Sequence, residues 1–181
     1  MNASELSIIL PAFLASLIVL ATHVPLGTEV LRRGIIFIDL AIAQVAGLGV
    51  IAADTMGWEA EGWMVQIAAV SAALLAAFIL HQTDKRFPEI QEALIGVAFV
   101  LAATVGILLL AENPHGGEHL KELLVGQILW VNYEQLLPAA IVSVLILIAW
   151  YWIRDHLRGF GFYAIFAFAV TVSVQLVGIY M

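Results

Sequence analysis

Six long apolar segments run through this sequence, and they limit what it can fold into more than any other feature. A helix needs roughly 20 mostly apolar residues to cross a bilayer, because the hydrocarbon core is about 30 Å thick and each helical residue rises about 1.5 Å. Six stretches come close to this length, and we predict transmembrane helices at approximately Leu6–Ala21, Gly34–Ala53, Trp63–His81, Ala93–Ala111, Leu136–Ile153 and Gly161–Met181. The pattern therefore predicts an all-α, polytopic integral membrane helix bundle that forms a single domain over residues 1–181.

The composition excludes several other classes of protein. Of the 181 residues 63% are hydrophobic and 12% are charged, whereas a soluble domain is nearer half apolar and a quarter charged. The net charge of −7, with seven Lys and Arg in all, argues against nucleic acid as a partner. The absence of cysteine excludes disulfides and thiolate metal sites. No phosphate-binding loop or catalytic triad is recognisable, so we predict that the chain is not an enzyme.

The cations indicate how the helices cross the membrane. The first, third and fifth loops of the predicted bundle hold six of the seven Lys and Arg residues, namely Arg32, Arg33, Lys85, Arg86, Arg154 and Arg158. Loops rich in Lys and Arg stay on the cytoplasmic side of a membrane. We therefore predict a bacterial-type inner membrane location, with these loops in the cytoplasm and both termini on the outer, periplasmic side.

Small residues recur at every fourth position on two of the predicted helices. Such stripes let two helix backbones approach closely and gain dispersion contacts in lipid. The two stripes predict packing faces, and they consist of Ala69, Ala73 and Ala77 on one helix and Ala98, Ala102 and Gly106 on the other.

Asp39 is the most informative polar residue, because it falls inside the second predicted helix. An ionisable side chain at membrane depth is costly, so it usually has a charged partner or serves a pathway. Two interpretations stay open. The carboxylate belongs to a path for cations, or it forms a structural ion pair with an arginine of a cytoplasmic loop such as Arg32 or Arg33.

The loop before the fifth helix holds a second group of candidate ligands. Leucines at a helical spacing predict an external amphipathic or re-entrant segment at approximately 117–133. The candidate ligands for one divalent cation are His115, Glu118, His119 and Glu122. The alternative is a solvated acidic loop that binds nothing.

Four stretches in collinear order resemble the zinc/manganese (ABC-3) permeases, which are the membrane subunits of ATP-driven divalent-metal importers. The stretches are Pro25–Ala41, with the sequence PLGTEVLRRGIIFIDLA, then Glu92–Phe99, with EALIGVAF, then Leu123–Val131, with LLVGQILWV, and Phe162–Ala167, with FYAIFA. This resemblance implies a cytoplasmic ATPase, an external solute-binding protein and a second permease copy as partners. It also implies zinc or manganese as the metal carried, and it places Asp39 on the ion path.

The chain departs from the family pattern in three places, the first being that it stops at Met181, where the family continues into further helices, so we expect a shortened permease. The family has a Gly-Asp-x-x-x-His pattern around the aspartate, and here Ile38 replaces the glycine and Ala43 the histidine. The fifth and sixth predicted helices are joined by only Arg154–Phe160, which is too short for the family's ATPase-docking segment. These departures keep a second hypothesis open, a permease-derived, non-transporting subunit that packs with other membrane subunits of a larger complex.

Overall fold

The computed structural model describes residues 3–58, 63–111, 128, 131–153 and 159–177. Helices account for nearly all of this part of the chain. They are α1 (Ala3–Arg33), α2 (Ile38–Thr55), α3 (Trp63–Arg86), α4 (Gln91–Leu110), α5 (Tyr133–Ile153) and α6 (Phe160–Val177), with a short 3-10 turn at Pro88–Ile90. The predicted all-α, polytopic bundle is confirmed. Most of the predicted 117–133 segment lies outside the described residues.

Five helices in the described part of the chain are long and apolar enough to cross a membrane. They are α1 to α5, and the apolar part of α6, Phe160–Val174, is shorter. The sixth predicted span, Gly161–Met181, therefore corresponds to a helix described only as far as Val177.

The first helix is much longer than its predicted range of Leu6–Ala21. It continues for 31 residues, through Pro11 and Pro25, and ends with Arg32 and Arg33 in its last turn. A proline removes one backbone hydrogen bond from a helix, but leaving the helix inside a bilayer would expose many more unpaired backbone groups. The segment from Pro25 to Arg33 is thus part of α1 and not of a loop.

Glycine explains where α1 stops. Gly34 has a positive φ of 70°, which a residue without a Cβ adopts at little cost. Its N–H donates to the carbonyl of Leu31 at 3.2 Å, and the N–H of Ile35 donates to the carbonyl of Val30 at 3.3 Å. These are the two bonds of a Schellman motif, and the accompanying apolar contact pairs Ile35 with Val30, both buried in the core.

Helix α2 lies at the centre of the bundle and packs against α3, α4 and α6. Its closest approach is at Gly49, where an added Cβ would lie 2.8 Å from the backbone oxygen of Ala68 and 2.8 Å from Cβ of Ala72. At Gly106 of α4 an added Cβ would meet Cδ1 of Ile51 at 3.3 Å. The backbones of α2 and α3 therefore approach closely at Gly49, whereas Gly106 of α4 makes room for the Ile51 side chain of α2.

Both predicted small-residue stripes are packing faces. In α3 all three alanines of the stripe are buried, and in α4 Ala102 and Gly106 are buried while Ala98 packs against the main core. The prediction from spacing is confirmed, because in lipid these are the faces that bring backbones together.

The buried side chains form two cores of unequal size. The larger core joins the end of α1, the first half of α2, the second half of α3 and the first half of α6, and it includes Leu26, Ile42, Phe162 and Tyr163. The smaller core joins α1, α5 and the end of α6 around Val19, Leu136 and Leu176. The aromatic-rich core thus lies near one end of the bundle, where the helices carry most of their described charges.

Candidate functional site at the charged end

One end of the bundle gathers most of the described charged side chains of α1 to α4 and of the turn before α4. We call it the charged end, and it consists of Glu29, Arg32, Arg33, Asp39, Asp84, Lys85, Arg86, Glu89 and Glu92. Asp54 lies at the opposite end of α2. The predicted grouping of Arg32, Arg33, Lys85 and Arg86 holds in space, although these residues occupy the last turns of α1 and α3 and not loops. Arg154 and Arg158 lie outside the described residues, and the cytoplasmic side of this end stays a prediction.

Asp39 lies at the charged end, in the first turn of α2. The sequence placed it deeper, about one and a half turns inside a helix that was predicted to begin at Gly34. The side chain is exposed, and its Oδ1 accepts a hydrogen bond from the N–H of Leu40 at 2.8 Å. A carboxylate in a first turn is stabilised by the positive end of the helix dipole. The structure therefore offers a local reason for this acid, and its role on an ion path stays a prediction.

The position that carries a histidine in the family pattern is occupied here by a buried apolar residue. Ala43, one turn after Asp39, is buried, and so is its neighbour Gln44. The Oε1 atom of Gln44 has no hydrogen-bond partner in the part of the chain that the structure describes. Asp39 and Gln44 thus lie on different faces of α2, one exposed and one buried.

The external candidate ligands belong to a loop that the structure does not describe. His115, Glu118, His119 and Glu122 all lie outside the described residues. Among the residues that are described, no group of three or more His, Asp or Glu side chains could hold a metal ion. The possible divalent-metal site on the outer loop therefore stays a prediction.

An aromatic layer joins α1, α3 and α6 at the charged end. The guanidinium of Arg33 lies 4.1 Å from the ring centroid of Phe162, and Arg33 also pairs with Glu29 at 3.0 Å. The buried ring of His81 lies 5.4 Å from the ring of Tyr163, centroid to centroid. These contacts attach the start of α6 to both α1 and α3.

Sequence reasoning missed the two residues that begin α4. Glu92 accepts a hydrogen bond through Oε1 from the N–H of Phe37, the residue that caps α2, at 3.0 Å. The adjacent Gln91 is buried and donates through Nε2 to the carbonyl of Leu80 in α3 at 2.8 Å. Glu92 opens one of the stretches that carry the family resemblance, but nothing in its spacing shows that it reaches α2.

A second polar contact lies farther along the membrane-spanning helices. His23 of α1 lies with Nδ1 3.1 Å from the carbonyl of Val19, and its Nε2 is 3.4 Å from Oγ of Ser173 in α6. Because α1 continues for ten residues beyond His23, this residue lies inside the helix and not at its end. Its contact with Ser173 joins α1 to α6.

Comparison with known proteins identifies the family. Residues 5–181 match the ABC 3 transport family. The chain belongs to this family. Membership over almost the whole length confirms the resemblance seen in the sequence, and with the apolar helices it makes the chain a multi-pass, permease-like membrane protein.

The fold of this family member is also found among solved structures. The chain is similar to PsaBC from Streptococcus pneumoniae in complex with Fab, with a TM-score of 0.68 and 18% sequence identity. The match covers 95% of this chain and 67% of that chain. At this identity the likeness is one of fold. No curated protein matches the chain significantly.

Proposed function

We propose that this protein is the permease subunit of an ABC-type importer for a divalent metal ion, zinc or manganese, in a bacterial-type inner membrane. The observation that carries the proposal is the family match over residues 5–181. Transport by this chain would require a second permease copy, a cytoplasmic ATPase and an external solute-binding protein. Asp39 at the charged end is the residue we assign to the metal path.

A specific observation favours a second candidate, a permease-derived subunit that does not transport and packs with other membrane subunits. The position that would carry the family histidine is occupied by the buried Ala43, which offers no ligand. Asp39 is exposed in a first helical turn, where its charge already has a stabilising environment. A chain that has lost metal transport would tolerate both features.

The substitution Asp39→Asn separates the two candidates. The test uses cells that depend on this protein and its native partners for metal, with radiolabelled zinc or manganese uptake measured per amount of the protein in the membrane. For a permease we expect Asp39→Asn to reduce uptake to background while the membrane level stays unchanged. The matched control is Glu89→Gln, an exposed acid at the same end, which should leave uptake intact.

Two results would contradict the proposal in different ways. Wild-type uptake with no loss in Asp39→Asn would remove Asp39 from the path and leave transport standing. No metal uptake that depends on the wild-type chain would favour the non-transporting subunit, above all if mass spectrometry of the complex purified in mild detergent finds other membrane subunits and no ATPase.

A further inference from the structure

We propose that Glu92 is a positioning residue that holds the first turn of α2, and with it Asp39, in place. Its Oε1 accepts the hydrogen bond from the N–H of Phe37 at 3.0 Å, across 55 residues of sequence. Phe37 caps α2, and Asp39 follows two residues later in the same turn. The side chain of α4 thus acts on the backbone that carries Asp39.

The start of α2 needs a cap from elsewhere. A helix leaves its first N–H groups without intrahelical acceptors, and the side chain at the cap position usually supplies one. Here that residue is Phe37, whose side chain has no acceptor, and Asp39 in the first turn accepts the N–H of Leu40 but not that of Phe37. Glu92 supplies both an acceptor and a negative charge at the positive end of the helix dipole.

The start of α4 is itself held firmly. Gln91 bonds to the carbonyl of Leu80 at 2.8 Å, so two consecutive side chains attach this turn to α3 and to α2. The second carboxylate oxygen of Glu92, Oε2, is buried and has no hydrogen-bond partner among the described residues. The bond to Phe37 is therefore the described polar contact that orients this carboxylate.

The consequence for metal transport rests on the proposed function. If Asp39 lies on the path, release of the Phe37 N–H would let the first turn of α2 fray and move the carboxylate of Asp39. Glu92 would then affect uptake without contacting the metal, mainly through the hydrogen bond that its carboxylate accepts and less through its charge. Glu92→Gln keeps an acceptor oxygen and removes the charge, whereas Glu92→Ala removes both.

Hydrogen–deuterium exchange tests the positioning role directly. The measurement uses the full chain in lipid nanodiscs and follows a peptide that covers residues 35–42. We expect Glu92→Ala to speed exchange of the Phe37 amide about tenfold or more, because loss of a hydrogen bond to a charged group allows local opening. Glu92→Gln should stay within about twofold of wild type, since its amide oxygen can still accept. Glu89→Ala, in the neighbouring turn, is the matched control and should change nothing.

Uptake of radiolabelled zinc or manganese in the same variants tests the functional consequence. We expect Glu92→Ala to lower uptake per amount of membrane protein about tenfold and Glu92→Gln to restore it, and restoration by an uncharged acceptor is what a purely electrostatic role would not give. Should Glu92→Ala fail to accumulate, Glu92→Asp, which keeps the charge but shortens the reach, replaces it and should speed exchange as well.

The outcomes separate this inference from the proposed function. Unchanged exchange in Glu92→Ala would overturn the positioning role. Faster exchange with unchanged uptake would overturn the link to Asp39. If the wild-type chain takes up no metal, the proposed function fails by itself, and the exchange experiment alone then decides whether Glu92 holds α2.

Discussion

Helix α2 and the α1–α5 pair show two different ways of packing in the same bundle. In α2, 56% of the membrane-spanning window is buried, against 22% in α5. Around α2 the backbone of α3 comes close at Gly49, and side chains of α2 pack against Gly106 of α4. By contrast, α1 and α5 leave between them an open apolar groove of about 460 Å³, lined by large side chains such as Leu14, Leu17 and Leu137. Because lipid is as apolar as leucine, close backbone approach stabilises helix contacts more than burial of bulky side chains does.

The largest effect should come from adding one methyl group at Gly49. We expect Gly49→Ala to destabilise the protein by roughly 1–3 kcal/mol, the range for overpacking, because its Cβ would overlap the backbone oxygen of Ala68. Gly106→Ala should cost less, since its Cβ meets only the ends of the Ile51 and Leu48 side chains. The measurement is unfolding in detergent, followed by the change in helix content.

Gly96→Ala is the matched control for this series, because an added Cβ there has no neighbour within 4 Å. It should match or exceed wild-type stability, since alanine favours helix over glycine. Equal losses at Gly49 and Gly96 would show that the close approach of α2 and α3 is not what stabilises the centre of the bundle.

A pair of alanine-to-leucine substitutions compares the two regions directly. Ala73 is fully buried in the core around α2, whereas Ala140 lines the groove between α1 and α5. We expect Ala73→Leu to cost roughly 1–3 kcal/mol through overpacking. Ala140→Leu should change stability by less than about 0.5 kcal/mol, as substitutions outside packed features do. A large loss from Ala140→Leu in the same unfolding measurement would mean that α1 and α5 pack tightly there and leave no open groove.

The smallest effect concerns the start of α5. The side chain of Asn132 accepts the N–H of Gln135 at 3.0 Å, and the side chain of Gln135 accepts the N–H of Asn132 at 3.2 Å, which is a capping box. We expect Asn132→Ala to cost about 1 kcal/mol and Asn132→Asp to retain most of the stability, as caps generally do. If Asn132→Ala unfolds like the wild type in detergent, this local cap contributes nothing to stability.

Apolar length was sufficient to predict five of the spans, but it misjudged where α1 ends. The predicted span ends at Ala21, with Arg32 and Arg33 in a loop, yet the helix runs on to Arg33, directly before Gly34. That error also moved Asp39, because a helix that begins at Ile38 places the acid in its first turn and not deeper. The Schellman motif at Gly34 involves only neighbouring residues, so the glycine after Arg33 was a local signal for this helix end that the prediction did not use.

The sequence by itself determined the membrane class and the small-residue stripes, because length and periodicity involve residues close together in the chain. The family resemblance, too, depended on the sequence alone. Only the tertiary structure decided that Gly49 meets Ala68 and that Glu92 caps α2. Both contacts join separate helices, and which faces of apolar helices meet depends on the packing of the whole bundle, since lipid-facing and helix-facing residues are nearly equal in hydrophobicity.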